Sequence, residues 1–223
     1  MLHRTTIFQG LRFAVIPAAL NLLLTMSPLQ ADPKDDSHTF AMAVSAGVKT
    51  CLPNAAATVS IRPGGEVDYM DVTVQGLPAN TEFNVFVIQV PKSPFGVSWY
   101  QGSIQTDKHG RGSRQFVGRF NIETFTVANN SAPAPAVFAT EATVNPPFNP
   151  IQMYHLGVWF DSTQASGNAG CPASPTPFNG EHNAGPQVFN TSNFADDHGP
   201  LRDVDPSATA SASASTSTST SGQ

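Results

Sequence analysis

The alternation of apolar and polar positions along the chain is that of β-strands, and no stretch sustains a helical period. Thr58-Val59-Ser60-Ile61 alternates briefly and stops at Arg62-Pro63-Gly64-Gly65, whose glycines allow the positive φ of a tight hairpin turn. Residues 66–75 place Met70, Val72 and Val74 on one face and Asp71, Thr73 and Gln75 on the other, the pattern of a half-buried strand. Residues 83–90 are apolar on both faces, which predicts a central strand covered on both sides and ended by Pro91 and Pro94. Residues 97–106 and 113–120, joined by the turn residues 107–112, predict a second hairpin. Further strands are expected at 136–144, at 151–160 and, after a long turn-rich segment, at 187–190. The pattern therefore predicts an all-β fold, an antiparallel β-sandwich of about eight strands with long loops and no long helix.

One stretch adds a resemblance. Gly76-Leu77-Pro78-Ala79-Asn80-Thr81-Glu82-Phe83, followed by alternating Val85 and Val87, resembles the corner that opens a strand in fibronectin type III and other immunoglobulin-like sandwiches. The resemblance implies an immunoglobulin-like architecture and carries no implication for function. In such corners a tyrosine hydroxyl bonds back to the chain, whereas Phe83 can supply only the packing.

The two ends fall outside this pattern. His3 and Arg4 precede the apolar run 13–24, which is too short to span a bilayer comfortably and fits a secretory signal cut after Ala31. Residues 207–223 are dominated by Ser, Thr and Ala with no large apolar side chain, and are expected to be a disordered tail. One domain, residues 32–206, remains. Charge is scarce, 12% of residues with a net charge of −5, and the body has no Lys/Arg cluster, so nucleic acid and anionic membrane are poor partners.

With an oxidising compartment implied, the two cysteines Cys51 and Cys171 are expected to form one disulfide. Their number excludes a zinc site built from four cysteines.

Candidate chemistry is thin. His155 interrupts an apolar strand, where a buried imidazole must find a partner. Glu181 and His182 stand together within Thr176-Pro177-Phe178-Asn179-Gly180-Glu181-His182-Asn183-Ala184-Gly185, a stretch whose glycines would let a ligand approach. His155, Glu181 and His182 together could hold a divalent metal, with Asp196, Asp197 and His198 as further partners. The simpler readings are a structural histidine bonded to a loop carbonyl, and a loop in which Asn179-Gly180 turns and Asn183 caps.

Asp107, His109 and Ser113 have the letters of a catalytic triad without a nucleophile elbow. Trp99, Tyr100, Phe95 and Trp159 could form a sugar-binding platform, although single aromatics at strand positions are more often core. Asn129-Asn130-Ser131 and Asn190-Thr191-Ser192 fit the N-glycosylation pattern. The expectation from all this is a secreted or cell-surface protein with a non-catalytic binding or structural role, its partner an extracellular protein or glycan. A metal-dependent protein centred on His155, Glu181 and His182, and a carbohydrate-binding module, are the alternatives.

Overall fold

The computed structural model describes residues 37–127 and 150–206. The expected signal segment, the strand at 136–144, the sequon at Asn129 and the tail lie outside the described residues. Eleven strands run through the described residues: β1 (His38–Ala41), β2 (Ala43–Val44), β3 (Ala56–Pro63), β4 (Asp68–Gln75), β5 (Glu82–Ile88), β6 (Ser98–Gln105), β7 (Gly112–Gly118), β8 (Phe125–Thr126), β9 (Ile151–Gln152), β10 (His155–Phe160) and β11 (Gln187–Asn190). The one α-helix among them is the short α1 (Thr163–Asn168), capped by the Ser162 hydroxyl accepting from the Ala165 amide.

Two antiparallel sheets face each other across one core. The first has the order β1-β3-β4-β7 and the second β2-β11-β10-β5-β6; β8 and β9 form a separate pair. Period 2 works as expected in β4, where Met70, Val72 and Val74 are buried while Thr73 and Gln75 are exposed. Val59 and Ile61 from β3 join them, and across the core stand Phe83, Val85 and Val87 from β5 with Leu156, Val158 and Phe160 from β10. Strands β5 and β10 pair in register from Phe83 opposite Phe160 to Ile88 opposite His155. Both are buried along nearly their whole length, as their two-faced apolar sequences require.

The sequence reading places no strand at β1, β2 or β8 and no helix at α1, and two further departures concern connectivity. The hairpin expected between residues 97–106 and 113–120 does not form, because β6 pairs with β5 in one sheet and β7 pairs with β4 in the other. The chain does make a turn there, Asp107 N–H donating to the Arg111 carbonyl at 2.7 Å. That turn is then bound to the 77–81 corner: Leu77 N–H donates to the Gly110 carbonyl and Asn80 N–H to the Asp107 carbonyl. Thr106, buried, accepts from Thr81 N–H at 2.9 Å and donates from its hydroxyl to the Pro78 carbonyl at 2.7 Å. This threonine ties down the corner that Phe83 cannot tie. With both loops locked together, the strands leaving them diverge into separate sheets. The second departure is in 151–160, which splits into β9 and β10 around Met153 and Tyr154; Leu201 N–H meets the Tyr154 carbonyl there.

The expected disulfide is present. Cys51, in the turn before β3, joins Cys171, just past α1, with 5.3 Å between Cα atoms and a sequence separation of 120. A buried aspartate closes the other end of the first sheet: Asp68 Oδ2 accepts from Phe120 N–H at 2.8 Å and from Asn121 Nδ2 at 2.6 Å, fixing the exit from β7.

Two stability changes follow from this arrangement. Replacing Cys51 and Cys171 together by Ser lowers unfolding free energy by roughly 2–4 kcal/mol in urea denaturation, because the bridge closes a long loop. Gly110 has φ of 70°, and a Cβ there would lie 1.9 Å from the Leu77 carbonyl oxygen. Gly110→Ala therefore costs more than about 1 kcal/mol in the same assay.

Candidate functional site

The outer face of the five-stranded sheet holds the most elaborate site among the described residues. On β5 the side chains turned away from the core are Asn84, Phe86 and Ile88, and on β10 Trp159 lies beside them, fully buried. Among the described residues no second sheet covers this face. Cover comes from Phe95, in the connection between β5 and β6, and Phe178, in the segment between α1 and β11. Trp159 stands 4.7 Å from Phe178, 5.2 Å from Phe95 and 5.3 Å from Phe86, ring centre to ring centre. Its ring lies over Gly157, where a Cβ would come within 2.3 Å of Cζ3.

A β-bulge completes the site. Val85 pairs with Gly102 but Phe86 pairs with Tyr100, so Gln101 is an extra residue and the face of β6 is reset across it. Strict alternation would put Tyr100 and Ser103 on opposite faces. The bulge puts both on the outer face, where Tyr100 Oη lies 2.6 Å from Ser103 Oγ. Ser103 Oγ donates to Asn84 Oδ1 at 3.1 Å, and Asn84 Nδ2 donates to Asp161 Oδ1 at 3.0 Å. Because Ser103 spends its proton on Asn84, the Tyr100 hydroxyl is the donor in the first link. The chain of bonds runs from an exposed phenol, through an amide only 2% exposed, to a carboxylate.

The loop Thr176–Gly185 forms the opposite wall. Thr176 bridges Ala184, and Asn179 sits at φ 57° with its Oδ1 accepting from the Asn183 amide at 3.0 Å. Asn179 Nδ2 donates to the Asp161 carbonyl at 2.9 Å, which anchors the loop beside the end of β10. Between this loop and β5–β6 opens a groove of about 740 Å³, with Phe86 and Tyr100 on one side, Phe178 and Glu181 on the other, and Glu82 and Asp161 at one end.

The described residues do not assemble the metal centre of the alternative reading. Among the described residues no three His, Cys, Asp or Glu side chains form a group able to hold a metal ion. His155 is buried and turned to structural partners: Nε2 meets the Asp196 backbone carbonyl at 3.1 Å and Nδ1 the Thr191 hydroxyl at 2.8 Å. A carbonyl only accepts, so Nε2 carries the proton and Nδ1 accepts from Thr191. Glu181 Oε2 accepts from Asn183 Nδ2 within its own loop, and His182 is exposed at φ 56°. Asp196 contributes its backbone, and His198 pairs with Asp203 at 2.7 Å on the surface.

Other candidates also resolve into local structure. Asp107 Oδ1 accepts from the Arg111 and His109 amides, which hold its carboxyl below the usual carboxylate range, and Ser113 Oγ meets Thr73 instead. Trp99 pairs with Val87 and packs toward the core while Tyr100 faces out, so the two form no shared platform. Asn190 is buried with Nδ2 donating to Ser45 and Gln187, which removes it as a glycosylation acceptor in the folded protein.

The residues that the sequence reading missed are Glu82, Asn84, Ser103 and Asp161. One signal was available: Asn84 interrupts an apolar strand just as His155 does, and a buried amide there must be bonded.

A scan against models of known protein families finds no match, and a search of curated proteins finds none. Among the described residues no helix is long and apolar enough to cross a membrane.

Burial holds the His155 pKa below its ordinary value of 6.5, outweighing the opposing hydrogen bond to the Asp196 carbonyl. The unfolded chain therefore takes up a proton that the folded chain refuses as pH falls below about 6.5. Urea midpoints should fall between about pH 7.5 and about pH 5, and His155→Gln, less stable at the higher pH, should show a smaller fall. Equal slopes for the two proteins would refute this assignment.

Proposed function

We propose that this chain is a secreted or cell-surface binding protein with an immunoglobulin-like sandwich, and that it acts without catalysis by holding a ligand in the groove on the outer face of the five-stranded sheet. The observation that carries the reading is the groove itself. An exposed aromatic and a hydrogen-bonded carboxylate line a concavity of about 740 Å³, within the range of small-molecule and side-chain sites. Tyr100 remains 54% exposed although its ring packs at 5.6 Å on Phe86 and its hydroxyl is bonded, so a rigid aromatic surface is left open to a partner.

The export reading draws on the leader-like N-terminus and the disulfide, which suits an oxidising compartment. The immunoglobulin-like reading draws on two antiparallel sheets and the corner at 76–83. The non-catalytic reading draws on the histidines: His155 is committed to structural bonds, and no His or Cys is among the residues lining the groove.

Screening the purified full chain against peptide and glycan libraries by thermal shift, then measuring affinity for the hits, tests the reading. Tyr100→Ala, which removes an exposed ring, should leave the melting temperature nearly unchanged and weaken a true groove ligand at least about tenfold. Ligands that bind Tyr100→Ala as well as the parent protein, or turnover of a hydrolase substrate panel, would count against it.

A further inference from the structure

The groove's chemistry narrows what it can hold. Resting on the reading of the groove as the binding site, we propose that it takes a cationic group, an ammonium or guanidinium carried by a free amine or by a Lys or Arg side chain of a peptide. Glu82, Asp161 and Glu181 contribute three carboxylates to the lining, and no Lys, Arg or His contributes to it. None of the three is paired with a basic side chain among the described residues. Arg114, which donates to the Ser103 carbonyl at 2.6 Å, is turned over the Phe116 ring.

A binding surface with uncompensated negative charge repels anions, whereas a cation is drawn to each of its carboxylates. The aromatic lining adds a second, independent attraction. Phe86, Tyr100 and Phe178 bring their rings to the same groove, and a cation near a ring face is drawn to its quadrupole. The two attractions occupy different parts of the site: rings suit the alkyl stem and face of an organic cation, and Asp161 suits its N–H donors. Asp161 is the part already aimed. Its Oδ1 is held by Asn84, and its backbone is fixed by N–H donation to the Glu82 carbonyl at 3.2 Å and by the bond from Asn179, so a cation meets a carboxylate that has little left to reorganise. A bare metal ion would not use the rings, and the carboxylates do not form a metal-holding group.

Calorimetric titration of the full chain with four probes tests the assignment: agmatine, the peptide acetyl-Gly-Arg-Gly-amide, the same peptide with neutral citrulline in place of arginine, and the neutral glycan chitotriose. The arginine peptide or agmatine should bind, more weakly as salt rises from about 20 to about 300 mM. The citrulline peptide should bind at least about tenfold more weakly, and Asp161→Asn should cost roughly ten- to a hundredfold for the cationic probes with an unchanged circular dichroism spectrum. Tighter binding of the peptide than of agmatine assigns the site to a polypeptide side chain; the reverse assigns it to a free amine. Equal binding of the arginine and citrulline peptides, or no binding by either cationic probe, overturns the cation assignment. Chitotriose binding that is lost in Tyr100→Ala would overturn the assignment while leaving the groove as the binding site. Cationic binding that Tyr100→Ala and Asp161→Asn leave intact would overturn both.

Discussion

Strands β5 and β10 are apolar on both faces, and that single constraint organises the molecule. A sheet built around such strands must be covered twice, since either face left to water would expose Phe, Val, Leu and Trp side chains along its length. The inner face is covered by the β1-β3-β4-β7 sheet, whose strands alternate and so can present one apolar side to the core and one polar side to solvent. The outer face meets no second sheet among the described residues. Loops must cover it, and loops cover incompletely.

The groove is what that incomplete cover leaves. Phe95 and Phe178 fold down over Trp159 and Phe86, and the cover ends where β5 and β6 carry Asn84, Ser103 and Tyr100 instead of further large aliphatics. At that edge a polar network replaces apolar packing, with every link meeting ordinary hydrogen-bond distances, so the buried amide of Asn84 is satisfied through both its oxygen and its nitrogen. The same network orients Asp161, and Asp161 in turn holds the 176–185 loop through its carbonyl. Fold and site are thus one structure: the wall of the groove is attached to the groove's own carboxylate.

The asparagines and glycines of Thr176–Gly185 serve this attachment. Asn179 uses its positive φ, its side-chain oxygen and its side-chain nitrogen at once, to turn the loop, to close it on Asn183 and to fasten it to Asp161. Glu181 is left at the groove, and His182 is turned to solvent. A motif that reads as base or ligand chemistry is for the most part a loop satisfying its own backbone. His155 resolves likewise, because a histidine in a buried strand must be bonded, and Thr191 and the Asp196 carbonyl bond it.

Much of the fold was legible in the residues themselves. Period 2 located β3 and β4 closely, the two-faced apolar run of β5 marked an interior strand, and two cysteines behind a leader-like N-terminus led to the observed bridge. These are local or count-based properties, and the chain carries them residue by residue. What tertiary structure alone decided depends on pairing between distant segments. The turn at 107–111 looks like a hairpin from its residues, yet its bonds to the 77–81 corner send β6 and β7 into different sheets. The bulge at Gln101 reverses the parity that would separate Tyr100 from Ser103, and no pattern within β6 announces it, because a bulge exists only relative to a partner strand. Asp161 and Asn84, 77 residues apart, become neighbours only through the register of β5 on β10. Sequence determined which segments are strands and which faces must be hidden; the packing of those faces determined which polar groups meet at the edge of the cover.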